Sequence, residues 1–220
     1  MLSLTEENYL KAIYHLSDGG ANAVTTNAIA ESLNTKAASV TDMLKKLSGK
    51  NLVSYEPYYG VKILKQGKAE ALMIIRKHRL WETFLVQKLH FAWDEVHDVA
   101  EQLEHIQSGL LIEKLDEFLG YPDADPHGHP IPDKHGKINQ VRQTPLCDIP
   151  VRSRVIVQSV KDGSPSFLQY LSKNGVYIGA GVVILDKVEF DGSLELLVDD
   201  ERKIFISRDA AKNLLVTHEG

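Results

Sequence analysis

Three imidazoles and three carboxylates recur in the middle of the chain at helical spacing. His78 and Glu82 stand four apart, and His97, Glu101, Glu104 and His105 follow one another at offsets 0, 4, 7 and 8. On a helix those offsets span an arc of roughly 100°, so the second set forms one polar face, with Val96, Val99, Leu103, Ile106 and Leu110 on the other side. No lysine interrupts the set, whereas a solvated face mixes the signs as Glu113-Lys114 does. Neutral imidazole and carboxylate together suit Mn, Fe, Co, Ni or Zn. A centre drawn from two helices also fixes their packing, which couples ion binding to conformation. The bland alternative is a polar, partly exposed stripe. The segment Asp125-Pro-His127-Gly-His129 is open between further ligands and a polar loop, while His15, His90 and His218 are expected as surface or satisfied core histidines. The single cysteine, Cys147, excludes a centre built on several thiolates and any disulfide within the chain.

These groups need elements to position them. Two long amphipathic helices are expected over about residues 68–89 and 94–119. Ahead of them, Ser3-x-x-Glu6 is a capping-box pattern, and Leu10, Ile13, Tyr14 and Leu16 recur at helical spacing until Gly19-Gly20. Thr25 or Thr26 can cap a second helix over 27–33, and a third spans about 37–50, with only Asn34-Thr35-Lys36 between them. Such a pair is a helix-turn-helix when its packing positions are right. Ala30 is small where the helices cross, Asn34 tolerates a left-handed turn, and Val40, Met43, Leu44 and Leu47 face back. The outward face then carries Ala38, Ser39, Thr41, Asp42, Lys45 and Lys46, with Lys36 just ahead of it. Small hydrogen-bonding side chains there can approach base edges, and lysines can reach phosphates. A hairpin over 53–64, with Tyr58, Tyr59 and Lys62, would be a wing beside the backbone. An ordinary helical bundle with solvated lysines is the alternative.

The chain has 220 residues, 43% of them apolar, which excludes global disorder. Its net charge of −5 speaks against nucleic acid only until it is partitioned: residues 36–68 carry +5 and residues 71–125 carry −6. The longest run free of polar residues, 175–185, falls short of the ~20 residues a membrane span needs. The N-terminus has neither a basic region nor an apolar block, so a cytoplasmic chain is expected. Six of the eight prolines lie between Pro122 and Pro150, a loop or linker signature. Beyond it, short β-branched or aromatic runs at 151–160, 175–188, 194–198 and 203–207 indicate a small sheet or barrel, with one short helix near 167–171.

With these residues in view, the chain resembles the diphtheria-toxin-repressor and manganese-transport-regulator family, three-domain type. The resemblance rests on Tyr9-Leu10-Lys-Ala-Ile13-Tyr14, Ile29-Ala-Glu-Ser-Leu-Asn-Thr-Lys-Ala-Ala-Ser-Val40, Arg76-Lys-His78-Arg-Leu-Trp-Glu82, Val96-His97-Asp-Val-Ala-Glu101-Gln-Leu-Glu104-His105 and His127-Gly-His-Pro-Ile-Pro132. It implies a mainly α chain. Residues 1–70 would be a winged helix-turn-helix DNA-binding domain and 71–140 a helical metal-binding and dimerisation domain. Residues 141–150 would be a linker and 151–220 a small SH3-like β domain. It implies a homodimer that binds a near-palindromic, double-stranded operator when two metal ions per subunit are present. The primary site would use Asn8, Glu101, Glu104 and His105, and the ancillary site His78, Glu82 and His97. Residues at the positions of Asp125, His127 and Asp162 complete the ancillary site in some members. Glu101 stands where iron-type members carry cysteine, so its hard oxygen argues for Mn(II), with Fe(II) the alternative. Asn8 offers a neutral amide where those members carry Asp or Met. Lys11 stands where two-domain manganese regulators are acidic, and a lysine cannot bridge two metals. The competing functions are a winged-helix regulator that senses an organic ligand and a metalloenzyme. The latter lacks a motif such as His-Glu-x-x-His.

Overall fold

The Ser3 hydroxyl accepts the Glu6 N–H at 3.3 Å while the Glu6 carboxylate takes the Ser3 N–H at 2.8 Å. This closed capping box starts α1 (Leu4–Leu16) where the sequence expects it. The structure is a computed structural model, and it describes residues 2–57, 59–139 and 141–218. Thr25 caps α2 (Thr26–Ser32) through the Ala28 N–H. Asn34 turns the chain at φ 46°, in the left-handed region an asparagine tolerates, and α3 (Ala37–Gly49) follows. Strands β1 (Val53–Glu56) and β2 (Gly60–Ile63) pair antiparallel as the expected hairpin. Gly60 begins β2 at φ 91°, and a Cβ there would lie 2.5 Å from the Val24 carbonyl. Only glycine lets the hairpin bridge Val24 through Val61.

The helix α4 (Lys65–Leu89) runs 25 residues and begins three residues ahead of the expected start near 68. The second long helix does not form as one piece. It is divided into α5 (His97–Leu103) and α6 (Gly109–Phe118). Two hydrogen bonds mark the break. The Ile106 N–H turns back to the Leu103 carbonyl at 3.1 Å, an i−3 bond that closes α5. Ser108 then caps α6 through the Leu111 N–H at 3.3 Å. Glu104 and His105 therefore stand beyond the helix end, and the single polar face holds only for His97 and Glu101.

The C-terminal part is a six-stranded antiparallel sheet in the order β3-β8-β4-β5-β6-β7. Its strands are β3 (Thr144–Pro145), β4 (Arg154–Val160), β5 (Gly181–Lys187), β6 (Leu194–Val198), β7 (Arg202–Ile206) and β8 (Leu214–His218). Residues alternate inward with period two, as Leu194, Leu196 and Val198 do on β6. Between strands lie a single 3-10 turn (Leu146–Asp148), α7 (Pro165–Asn174) and α8 (Arg208–Asn213). Pro at the start of α7 and left-handed Gly175 at its end are the usual bounds of a helix. The helix α8 and strand β8 are additions to the sequence expectation. Strand β4 begins at Arg154 because Pro150 to Ser153 form a turn, with Arg152 at φ 70°.

The described chain forms two units. The first comprises Met1–His78, Glu101–Ile112 and Pro132–Ile138, and the second comprises Arg79–Ala100, Glu113–Ile131 and Asn139–Gly220. The first has a core of Leu10, Ile13, Ile29, Val40, Leu44, Leu47, Leu52 and Val61. The second is built around the sheet, with Leu146, Val155, Leu168, Leu171, Ile184, Leu196 and Val216, and Trp93 packs against it. Among the described residues, no helix is long and apolar enough to cross a membrane.

Candidate metal centre and nucleic-acid interface

In the first unit, α3 buries Val40, Leu44 and Leu47 and turns the opposite side outward. Lys36, Ala38, Ser39, Asp42, Lys45 and Lys46 are exposed, and Thr41 is half-buried with its hydroxyl donating to the Ala37 carbonyl at 3.1 Å. On the hairpin, Tyr59 and Lys62 are exposed, while Tyr58 lies outside the described residues. The seven named residues of the expected reading face thus lie along one helix and its approach. Lys46 has a partner within the protein: with Lys50 it converges on Glu6 Oε1, at 3.3 and 2.7 Å. Glu6 is buried, so α1 and α3 are joined by two ion pairs.

That pair has a pH signature. Burial alone pushes the Glu6 carboxyl up, but hydrogen bonds from Lys50, the Ser3 backbone and Lys46 outweigh it and hold its pKa at about 2, below the ordinary 4.5. A carboxyl lowered in the folded state contributes stability above its unfolded pKa and loses it as pH falls toward the folded one. Between pH of about 4.5 and 2 the wild-type Tm is therefore expected to fall more steeply than that of Glu6→Gln. Parallel melting curves for the two chains across that window would refute the assignment.

The same unit gathers the first group of candidate ligands. The Lys11 ammonium donates to Glu104 Oε1 and Oε2 at 2.7 and 2.9 Å and lies 3.3 Å from Glu101 Oε1. His78 Nδ1 meets Glu104 Oε2 at 2.5 Å. His105 Nδ1 meets Glu7 Oε2 at 2.6 Å, and Gln107 donates to the other Glu7 oxygen at 2.9 Å. Glu104 is wholly buried, and Glu7 nearly so. Burial pushes the Glu104 carboxyl up, but the His78 hydrogen bond and the Lys11 charge outweigh it, so it stays ionised below the ordinary range. Nearby Lys77 is lowered by its burial, against the attraction of Glu7, Glu104 and Glu70. Asn8 is exposed on α1 and Glu101 is half exposed. The α1 group that reaches His105 is Glu7, which sequence inspection passes over as an ordinary acidic residue of a first helical turn. His78, which the resemblance places with Glu82 and His97, also meets Glu104. The donor set of carboxylate oxygens and imidazoles around a buried negative charge fits a hard divalent cation.

The second unit holds another group. Asp125 Oδ1 accepts the backbone N–H of His127 and of His129, at 2.8 and 3.0 Å. Its Oδ2 is buried without a hydrogen bond, with His129 Nδ1 at 3.3 Å and Arg79 Nε at 3.5 Å. His127 Nε2 donates to the Trp93 carbonyl and His129 Nε2 to the Val160 carbonyl, both at 2.8 Å. A carbonyl only accepts, so both rings carry their proton on Nε2 and turn Nδ1 toward the acids. Fixing a ring through its far nitrogen is how proteins orient imidazole ligands. Asp125, His127 and His129 each offer one ligand atom, and these atoms lie within 4.8 Å of one another. Glu82 Oε2 lies 3.4 Å from His127 Nδ1, and Glu82 Oε1 lies 3.6 Å from His97 Nδ1. Burial pushes the His127 pKa down, but Glu82, Asp125 and the Trp93 carbonyl outweigh it and raise it. Gly128 makes this arrangement possible: at φ 81° it sits against the bulge of β4, where a Cβ would fall on the Gln158 carbonyl. Asp162 is half-buried near the start of α7, where its Oδ1 takes the Ser164 N–H at 2.8 Å. His129 is absent from the expected ligand set. The His-Gly-His spacing was its signal, but spacing alone cannot tell a ligand from a loop residue.

The chain thus combines a winged helix with buried carboxylate–imidazole groups of a kind that could hold metal ions. Comparison with known proteins agrees. Residues 1–61 match the iron dependent repressor N-terminal DNA binding domain, 64–133 the iron dependent repressor metal binding and dimerisation domain, and 144–218 the FeoA domain. The iron-dependent repressor IdeR of Mycobacterium bovis is 32% identical over 58% of this chain, which spans about half (55%) of that relative's length. An uncharacterized HTH-type transcriptional regulator of Methanocaldococcus jannaschii is 35% identical over 54% of this chain and 94% of its own. Among solved structures, a manganese-dependent transcriptional repressor in complex with manganese has a TM-score of 0.87 at 31% identity, covering 97% of this chain and 100% of the other. ScaR with bound Cd2+ has a TM-score of 0.79 at 32% identity, covering 97% and 99%. The chain belongs to the iron-dependent repressor family.

Proposed function

We propose that this chain is a metal-dependent transcriptional repressor that acts in the cytoplasm, binding double-stranded operator DNA as a homodimer. One observation carries the reading. Adjacent residues of α1 face the two functions: Glu6 bonds Lys46 and Lys50 of the reading helix, and Glu7 bonds His105 of the acidic cluster. A shift of α1 by the cluster is thereby a shift of α3. Glu101, Glu104 and His105, with Asn8 or Glu7 from α1, would hold one divalent ion. Glu82, His97, Asp125 and His127 would hold a second, with Asp162 near the same loop. The bound ion supplies the positive charge that lets these carboxylates share a site. Oxygen and imidazole donors favour Mn(II), with Fe(II) the alternative. The apolar side chains of Leu110, Leu111 and Phe118 stay exposed on α6 and offer a face that a second copy can cover. Two reading helices then have to match half-sites about 34–36 Å apart or a multiple of that. A ligand that favours the matching conformer shifts the population toward it.

The test is selection of duplexes from a random pool with Mn(II), Fe(II), Zn(II) or chelator, followed by affinity measurement on the enriched sequence. Near-palindromic duplexes are expected to be enriched with Mn(II) and to lose at least about 30-fold in affinity with chelator, about 2 kcal/mol of coupling. Binding indifferent to metal would overturn the proposal.

A further inference from the structure

Both oxygens of Glu7 and of Glu104, and one of Glu101, have a cationic or hydrogen-bonding partner, and one partner is out of place for a metal site. Lys11 projects from α1 into the acidic group, with both Glu104 oxygens and one Glu101 oxygen within 3.3 Å of its ammonium. Its side chain is only 16% exposed, against 0% for Glu104. The ammonium thus occupies the volume between the two carboxylates that a divalent ion would need. Two cations cannot share it, because like charges at such separation repel strongly in a poorly solvated site. A purely structural salt bridge would leave the carboxylates' remaining faces open to an ion. Here Glu104 Oε2 also takes His78, so both oxygens of the buried carboxylate are already engaged, one of them twice. The link it makes, α1 to the turn after α5, joins the same two segments as the Glu7–His105 bond.

We propose that Lys11 is a built-in counter-cation of this centre: it holds the metal-free chain together, and a divalent ion enters only by displacing its ammonium. This rests on the cluster being a metal site. The exchange weakens apparent metal affinity, since the ion must compete with a tethered cation at high effective concentration. It also spares the metal-free chain an uncompensated buried carboxylate. Lys11 would thereby set the metal concentration at which the centre fills.

Lysine to methionine keeps an unbranched apolar stem and removes the ammonium with its charge. Lys11→Met is expected to bind Mn(II) at least about 10-fold more tightly than the wild type, followed by the electron paramagnetic resonance of the free ion. Its metal-free form is expected to melt at a lower temperature, and Lys11→Arg is expected to return affinity toward the wild-type value. A merely structural lysine predicts the opposite sign, because loosening the cluster would weaken Mn(II). Unchanged or weaker binding by Lys11→Met therefore overturns the proposal. Should the variant not fold, the wild-type chain gives the same decision. Acylation of Lys11 by an amine-reactive reagent, read by peptide mass spectrometry, is expected to rise several-fold when Mn(II) is added. Protection unchanged by Mn(II) overturns the exchange while leaving the metal site standing. A wild-type chain that takes up no Mn(II) overturns both this proposal and the one it rests on.

Discussion

Glu104→Gln is expected to lower Mn(II) affinity by at least about 100-fold, which corresponds to ~2.7 kcal/mol, and to make DNA binding indifferent to the metal. Glu104 is the cluster's wholly buried carboxylate, and its two oxygens engage Lys11 and His78. An amide of the same shape still accepts a hydrogen bond through one oxygen. It has no charge to offer a cation, and its NH2 meets a donor. Breaking a buried ionic group by removing one partner costs ~3–5 kcal/mol, and the isosteric amide should sit near the lower end. The variant is therefore expected to melt well below the wild type while remaining folded at room temperature. Calorimetric titration with Mn(II) checks the first part and a melting curve the second. Full Mn(II) affinity in Glu104→Gln would show that this cluster is not a cation site.

The second large effect belongs to the reading face. Ser39→Glu should weaken DNA binding by roughly 100-fold, through repulsion of phosphates and loss of a small donor at the start of α3. Stability should not follow. Ser39 is the exposed third residue of the helix, and an acidic side chain in a first turn is favoured by ~0.3–1 kcal/mol. Surface changes of this kind stay within about 0.5 kcal/mol in general. Affinity and stability are thus expected to move in opposite directions, which a folding defect cannot imitate. DNA affinity unaffected by Ser39→Glu would remove α3 from the interface. The lysines are less diagnostic, because Lys46 also bonds Glu6 and its loss would mix a stability effect with a binding effect.

Much of the architecture was legible because its causes are local. The capping box at Ser3, the Thr25 cap, the Asn34 turn and the inward set Val40, Leu44 and Leu47 are all decided by residues within one or two turns of each other. The single helix expected over 94–119 is where this failed. Its apolar period continues through Ile106 and Leu110, but Glu7 binds the side chains of both His105 and Gln107, which lie in the break. Nothing near residue 105 announces a carboxylate at residue 7.

By itself, the sequence determined which chemistry was available: imidazoles and carboxylates with a single cysteine, a compact basic stretch, and helices and strands to carry them. The tertiary structure alone decided which acids meet which bases. Lys11 and Glu104 lie 93 residues apart, and His105 and Glu7 lie 98 apart. An ion pair falls off with distance in space and is blind to distance along the chain. The periodicity of a helix can place a ligand on a face, but only the packing of α1 against the turn after α5 made Glu7 a partner of His105. The same packing set Lys11 where a metal would be expected.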